Sequence, residues 1–152
     1  MWSPGHSGFA VLASEWAQLA EARGDLSAAI SGEDRAIALA QAATQQPEIL
    51  ARLLLKRSEL RLGTHRPDLA AADAQAALRM MQKSAATGTY SSNVGLAHLA
   101  LGRALQAQGK LGEAVAAFQS GVGNLEPSLG AEHPATRSAR QLAASSAPIP
   151  GR

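Results

Sequence analysis

The stretch LGRALQAQGKLGEAVAAF, residues 101–118, has the pattern of two short helices joined by a glycine turn. Leu101 and Leu105 precede Gly109 and are four residues apart, and Ala114 and Phe118 follow it at the same spacing. Side chains four residues apart lie on one face of an α-helix, and glycine accepts the backbone angles of a tight turn. The stretch therefore predicts a helical hairpin.

The turn and second helix of this hairpin recur twice earlier in the chain. The related segments are GDLSAAI from Gly24, PDLAAAD from Pro67 and GKLGEAV from Gly109. When the alanines at positions 29, 70 and 114 are taken as equivalent, the spacings are 41 and 44 residues. An internal repeat of this length predicts a helical solenoid, in which each hairpin packs on the next.

Helix breakers divide the chain into seven segments of helical length. Pro47, Pro67 and Pro134 are placed at helix starts, because proline in the first turn loses no helical hydrogen bond. The predicted helices span residues 9–23, 27–44, 47–62, 67–83, 93–108, 111–124 and 134–145. They predict one domain, residues 9–145, with repeats at 9–44, 47–83 and 93–127, a closing helix at 134–145 and a disordered tail at 146–152.

The composition favours an all-α fold and argues against several kinds of site. Apolar residues make up 46% of the chain and aromatic residues only 3%, so the core must consist mainly of alanine and leucine, which favour helices. The net charge of +2 is too small to indicate nucleic-acid binding. The absence of cysteine excludes disulfides and thiolate metal sites. No apolar stretch approaches the roughly 20 residues of a membrane span, and we expect a soluble, cytoplasmic protein.

No motif in the sequence predicts catalysis, a cofactor or a metal site. The segment His65-Arg66-Pro67-Asp68 partly matches a kinase catalytic loop, but proline interrupts the required His-Arg-Asp order. The four histidines are dispersed and lack the spacing of metal ligands. We therefore expect a protein that binds a partner and is not an enzyme, with neither a cofactor nor a metal ion.

The third hairpin resembles the tetratricopeptide repeat (TPR) at Leu101, Gly102, Leu105, Gly109, Ala114, Phe118, Gly121, Glu126 and Pro127. The first hairpin shares Trp16, Gly24, Ala29 and Ala36 with that repeat, and the second shares Leu55, Gly63, Ala70 and Ala77, with two extra residues expected in its turn. The period and the segment LGAEHPAT, residues 129–136, are similar to the longer repeats of kinesin light chains and of bacterial multi-repeat proteins. The resemblance covers residues 9–145 and implies a right-handed superhelical stack of hairpins, a TPR-like α-solenoid.

In the tetratricopeptide family the first helices of successive hairpins line a concave groove that binds peptides. The resemblance assigns ten residues to this groove: Ser14, Gln18, Glu21, Leu53, Arg57, Leu60, Arg61, Leu99, Arg103 and Gln106. Arg137 and Arg140 extend its rim. The arginines suit a protein or peptide with acidic groups, since guanidinium binds carboxylate through two hydrogen bonds. The alternative is that they only solvate the groove. Gln and Arg replace the Asn and Lys of the family's clamp for a C-terminal carboxylate, so that specificity is not expected.

The leading hypothesis is thus a protein-binding scaffold or adaptor, and two other functions remain open. In the first, the chain is the C-terminal regulatory portion of a larger bacterial signalling protein such as a serine/threonine kinase, because the helix at Phe9 begins with no polar capping hairpin before it. In the second, the chain is a structural module that associates with a second copy through Phe9, Leu12 and Trp16 of its first hairpin.

Overall fold

The computed structural model describes residues 7–42, 47–86 and 88–147. These residues form seven α-helices and no strand: α1 (Ser7–Ala22), α2 (Leu26–Ala42), α3 (Pro47–Gly63), α4 (Pro67–Ser84), α5 (Ser92–Ala107), α6 (Leu111–Leu129) and α7 (Pro134–Ser146). Each helix packs against the next one along the chain, and α5 also lies beside α3 and α7. The predicted all-α stack of helical hairpins is confirmed.

The predicted end of α2 at residue 44 lies outside the described residues. The other helix ends agree with the predicted ends to within two residues, except at the end of α6. That helix continues five residues past its predicted end and contains Pro127. Proline removes one backbone hydrogen bond there, while burial of Leu125, which is 0% exposed, holds the last turns in place. At the other predicted boundaries, Ser146 belongs to α7 and not to a disordered tail. Residues 148–152 of that tail, and Thr44 at the predicted end of the first repeat, lie outside the described residues.

All three hairpins turn in the same way. Each turn has three residues, and the middle residue is left-handed: Gly24 (φ 80°), His65 (φ 57°) and Gly109 (φ 78°). The N–H of the third turn residue donates to the carbonyl five residues earlier in every hairpin, at 3.0, 2.8 and 3.0 Å. The two extra residues expected in the second turn are therefore wrong, because α3 continues through Gly63 and His65 takes the position of the turn glycine.

Small residues on the first helices of the hairpins follow the same spacing as the turns. Ala17, Ser58 and Gly102 are all buried, at intervals of 41 and 44 residues. A Cβ atom on Gly102 would lie 2.5 Å from two ring carbons of Phe118, which is fully buried. These positions bring the two helices of a hairpin close together, and they are equivalent positions of the three hairpins.

The core consists of two large clusters of buried residues and a small third cluster between α4 and α5. One cluster joins α1 to α4 and the start of α5, and includes Ala36, Leu54 and Leu78. A second cluster surrounds Phe118 and joins α5, α6 and α7, where Ala139 is fully buried. Among the described residues, no helix combines the length and the apolar character needed to cross a membrane.

Candidate functional site

Helices α3, α5 and α7 line a cleft of about 580 Å³, which we call the odd-helix groove. Its apolar lining is Leu55, Leu96, Leu99, Ala100, Pro134 and Ala135. Its polar lining is Arg52, Lys56, Glu59, Arg103 and Ser138. The cleft thus combines a leucine-rich surface with charged groups of both signs.

The lining of the odd-helix groove repeats between the second and third hairpins. It consists of positions 52, 55, 56 and 59 in α3 and of positions 96, 99, 100 and 103 in α5. Each set has the i, i+3, i+4, i+7 spacing of one helical face. The two sets are 44 residues apart, which is also the distance from His65 to Gly109. Leu55 therefore corresponds to Leu99, and Glu59 to Arg103.

In α3, the residues predicted for the groove lie two positions from those that line it. The predicted set takes Leu53 and Arg57 of α3 as equivalent to Leu99 and Arg103 of α5, which are 46 residues further on. The structure pairs each of these α5 residues with the α3 residue two positions further on. Leu53 and Leu60 are only 6% and 2% exposed, so these two side chains pack inside the stack and offer almost no surface to a partner.

Arg57 and Arg61 are held by carboxylates of the neighbouring helices. Arg57 donates from Nε and Nη2 to the two oxygens of Asp73, at 2.9 and 2.6 Å, and from Nη1 to Asp34 at 2.6 Å. Arg61 Nη1 adds a third hydrogen bond to Asp73, at 2.7 Å. The hydrogen bond with Asp73 is the main cause that raises the pKa of Arg57. Because Asp73 is only 4% exposed, these charge-assisted bonds tie α3 to α2 and α4 and leave neither arginine unpaired.

On α5, Leu99 and Arg103 line the groove, and Gln106 lies beyond it. Arg103 Nη2 donates to the hydroxyl of Ser138 on α7, at 3.2 Å, and the described residues provide no carboxylate partner for it. Gln106 donates to the hydroxyl of Ser146 at 2.9 Å. The amide of Gln106 therefore fastens α7 to α5, while Arg103 has a neutral hydrogen-bond partner and no ion pair among the described residues.

Of the two arginines predicted for the rim, one forms an ion pair and the other forms none with the described residues. Arg140 forms an ion pair of 2.5 Å with Glu126 of α6. Arg137 is exposed and makes no ion pair with any described residue. Neither of them is among the residues that line the cleft.

None of the α1 residues predicted for the groove lines the cleft. Ser14 is buried and donates to Glu33 at 2.7 Å, Glu21 accepts from Lys56 at 2.8 Å, and Gln18 is exposed. Glu33 is fully buried, and its second carboxylate oxygen has no hydrogen-bond partner among the described residues. Burial raises the pKa of Glu33, while its hydrogen bond from Ser14 opposes the rise. The α1 end of the stack therefore contributes an internal polar cluster.

The charge of the odd-helix groove resides mainly in two arginines. Lys56 is paired with Glu21 and lies 4.0 Å from Glu59. Partial burial acts to lower the pKa of Lys56, but the bond with Glu21 and the nearby carboxylates outweigh it and raise the pKa. Arg52 makes no ion pair with the described residues, and Arg103 meets only a hydroxyl. These two guanidinium groups are the cations available to a partner.

Reasoning from the sequence missed nine residues that line the groove. Pro134, Ala135 and Ser138 lie on α7, and the other six lie on α3 and α5: Arg52, Leu55, Lys56, Glu59, Leu96 and Ala100. A signal for them is present, because the one-face spacing at positions 52–59 recurs 44 residues later. Assigning the second turn to Gly63 hides this signal, since it shifts the alignment of α3 by two residues.

The described ranges 7–42, 47–86 and 88–147 contain no group of three or more His, Cys, Asp or Glu residues placed to hold a metal ion. The comparison with known proteins identifies no relative: no protein-family model matches the chain, and no curated protein matches it. The properties of the odd-helix groove are therefore the basis for a functional proposal.

Proposed function

We propose that this chain is a tetratricopeptide-type adaptor that binds a segment of another protein in the odd-helix groove. The observation that carries the proposal is the lining of the groove, where leucine side chains from two repeats lie beside two arginines that have no carboxylate partner in the part of the chain that the structure describes. An apolar surface with a few placed polar groups is the usual composition of a peptide-binding site.

The charges of the groove specify the chemistry of the segment. Three cations and one anion line the cleft, which gives it a net charge of +2. Since Lys56 is already neutralised by Glu21, carboxylates of the segment are expected to bind Arg52 and Arg103. Guanidinium groups bind carboxylates strongly because the hydrogen bonds are charge-assisted. Leu55 and Leu96 supply the apolar contact, so the expected ligand has both acidic and apolar side chains.

A selection from a random peptide library displayed on phage tests this proposal. Peptides selected against the wild-type chain should be enriched in Asp, Glu and apolar residues. Their binding, measured by fluorescence anisotropy, should be weakened at least about tenfold by R52E/R103E, because each substitution replaces attraction by repulsion.

The matched control is R23E/R79E, which makes the same change of charge at two exposed arginines that do not line the groove. This control should bind the selected peptides as tightly as the wild type, and circular dichroism should show unchanged helicity in both variants. Equal binding by R52E/R103E and the wild type, or a selection without enrichment of acidic residues, would show that the groove is not the binding site proposed.

A further inference from the structure

The edge of the stack formed by α1 has a stripe of exposed apolar side chains. Leu12, Trp16 and Leu19 are 50%, 66% and 46% exposed, and Phe9 is 36% exposed. Their spacing of three, four and three residues is that of the a and d positions of a coiled-coil seam. We call these four residues the α1 stripe. Beside it, α1 and α2 enclose a cleft of about 620 Å³ that continues the apolar surface toward Leu39.

Two charged residues flank the α1 stripe on opposite sides. Arg35 of α2 lines the cleft between α1 and α2, and Glu15 lies on the far side of α1. Both are exposed, and neither makes an ion pair with a described residue. Gly32 of α2 lies against Ala17 of α1. Arg35 is about one helical turn further along the antiparallel α2, which places it at nearly the height of Glu15 along α1.

We propose that a second copy of this chain binds the α1 stripe, with its α1 parallel to the first about a twofold axis along the stripe. Such an axis preserves height along the helix and exchanges the two sides of the stripe. Glu15 of each copy then faces Arg35 of the other, and both ion pairs form at once. An antiparallel pair would bring Glu15 against Glu15 and Arg35 against Arg35, which is repulsive.

The surface is thus complementary to itself in both shape and charge, as a twofold interface requires. The seam supplies the apolar contact, with each stripe residue beside its own copy in the partner, and the flanking charges select the parallel orientation. None of the residues that line the odd-helix groove belongs to the α1 stripe, so association through the stripe does not depend on that groove.

Single cysteines test the orientation directly, because the chain contains no cysteine of its own. In the parallel pair, position 12 lies beside position 12, and position 19 beside position 19. L12C and L19C should therefore each form a disulfide-linked dimer on mild oxidation, whereas the control Y90C, at an exposed residue away from the stripe, should not. Cross-linking only when L12C and L19C are mixed would overturn the parallel arrangement.

Sedimentation equilibrium tests the association itself. The wild type should dimerise, and W16E should be monomeric, while Y90E remains dimeric although Tyr90 is as exposed as Trp16, at 65% and 66%. E15R or R35E alone should raise the dissociation constant about tenfold, and the double swap E15R/R35E should restore it. A wild type that is monomeric at every concentration, a dimer unaffected by W16E, or a double swap without recovery would each overturn the proposal, and the first would assign the stripe to a different protein.

Discussion

Replacing His65 by glycine should stabilise the protein. His65 is left-handed, with a φ of 57°, and this conformation costs a residue with a Cβ atom about 1–2 kcal/mol. Glycine adopts it without that penalty, but loses about 0.5–1 kcal/mol more backbone entropy on folding. Since the side chain is exposed, little else is lost on its removal. The expected gain for His65→Gly is therefore about 0.5–1 kcal/mol.

The neighbouring substitution Gly63→Ala should also stabilise the protein. Gly63 is the last residue of α3 and is not left-handed. A Cβ atom there would meet only Leu26 Cδ1, at the ordinary contact distance of 3.6 Å. Alanine is favoured over glycine in a helix by up to about 1 kcal/mol. Gly109→His, the reverse change at the equivalent turn, should destabilise the protein by about 0.5–1 kcal/mol.

Equilibrium unfolding in urea, followed by circular dichroism, measures all three variants. The urea concentration at the midpoint of unfolding should rise for His65→Gly and for Gly63→Ala and fall for Gly109→His. The dependence of the free energy of unfolding on urea concentration should stay the same. If the second turn were instead centred on Gly63, alanine at that position would be strained and the midpoint would fall. That result would refute the assignment of the turn, and with it the register of α3.

Three further predictions concern buried groups, and urea unfolding checks each of them. Asp73→Ala removes the carboxylate paired with Arg61 and leaves Arg57 with Asp34 alone. It should cost about 3 kcal/mol, the lower end of the range for breaking a buried pair, because Arg57 keeps one partner and both guanidinium groups keep some access to water; a loss under about 1 kcal/mol would contradict this. Gly102→Ala, whose Cβ would lie 2.5 Å from the Phe118 ring, should cost about 1–3 kcal/mol, whereas Gly123→Ala, which meets nothing within 4 Å, should gain up to about 1 kcal/mol. Burial raises the pKa of Glu33 above the ordinary 4.5. The wild type should therefore lose stability relative to Glu33→Gln as the pH rises above that value. A difference in free energy of unfolding between the two proteins that stays constant from about pH 4 to about pH 7 would contradict this.

The helices could be predicted from the sequence because their ends carry local signals. Pro47, Pro67 and Pro134 each begin a helix, where the missing N–H is harmless. The end of α6 could not be predicted in this way, because Pro127 is an equally strong local signal for termination. It is overridden by the burial of Leu125, a tertiary contact with no counterpart in the local pattern. Helix propensity and local signals predict where a helix lies, but tertiary packing determines how far it extends.

The residues that line the groove were harder to predict, because a small error in aligning the repeats changes which face of a helix is expected to line the groove. Successive residues are about 100° apart around the helix axis, so a shift of two residues turns the expected face by about 200°, to the opposite side. Arg57 accordingly contacts Asp73 of α4, and Glu59 lines the groove in its place. In α5, where Gly109 is both the glycine and the left-handed residue of the turn, Leu99 and Arg103 do line the groove.

The backbone conformation of one turn residue therefore determines which side chains the second hairpin presents to a partner. A glycine in the sequence does not always mark the left-handed residue of a turn. In the second turn the left-handed residue is His65, and the nearby Gly63 is not left-handed. Histidine is among the residues that occupy this region more often than most. When the repeats are aligned by their left-handed residues, which are 41 and then 44 residues apart, the buried small residues match one another and so do the residues that line the groove. When the repeats are aligned by their glycines, neither set matches.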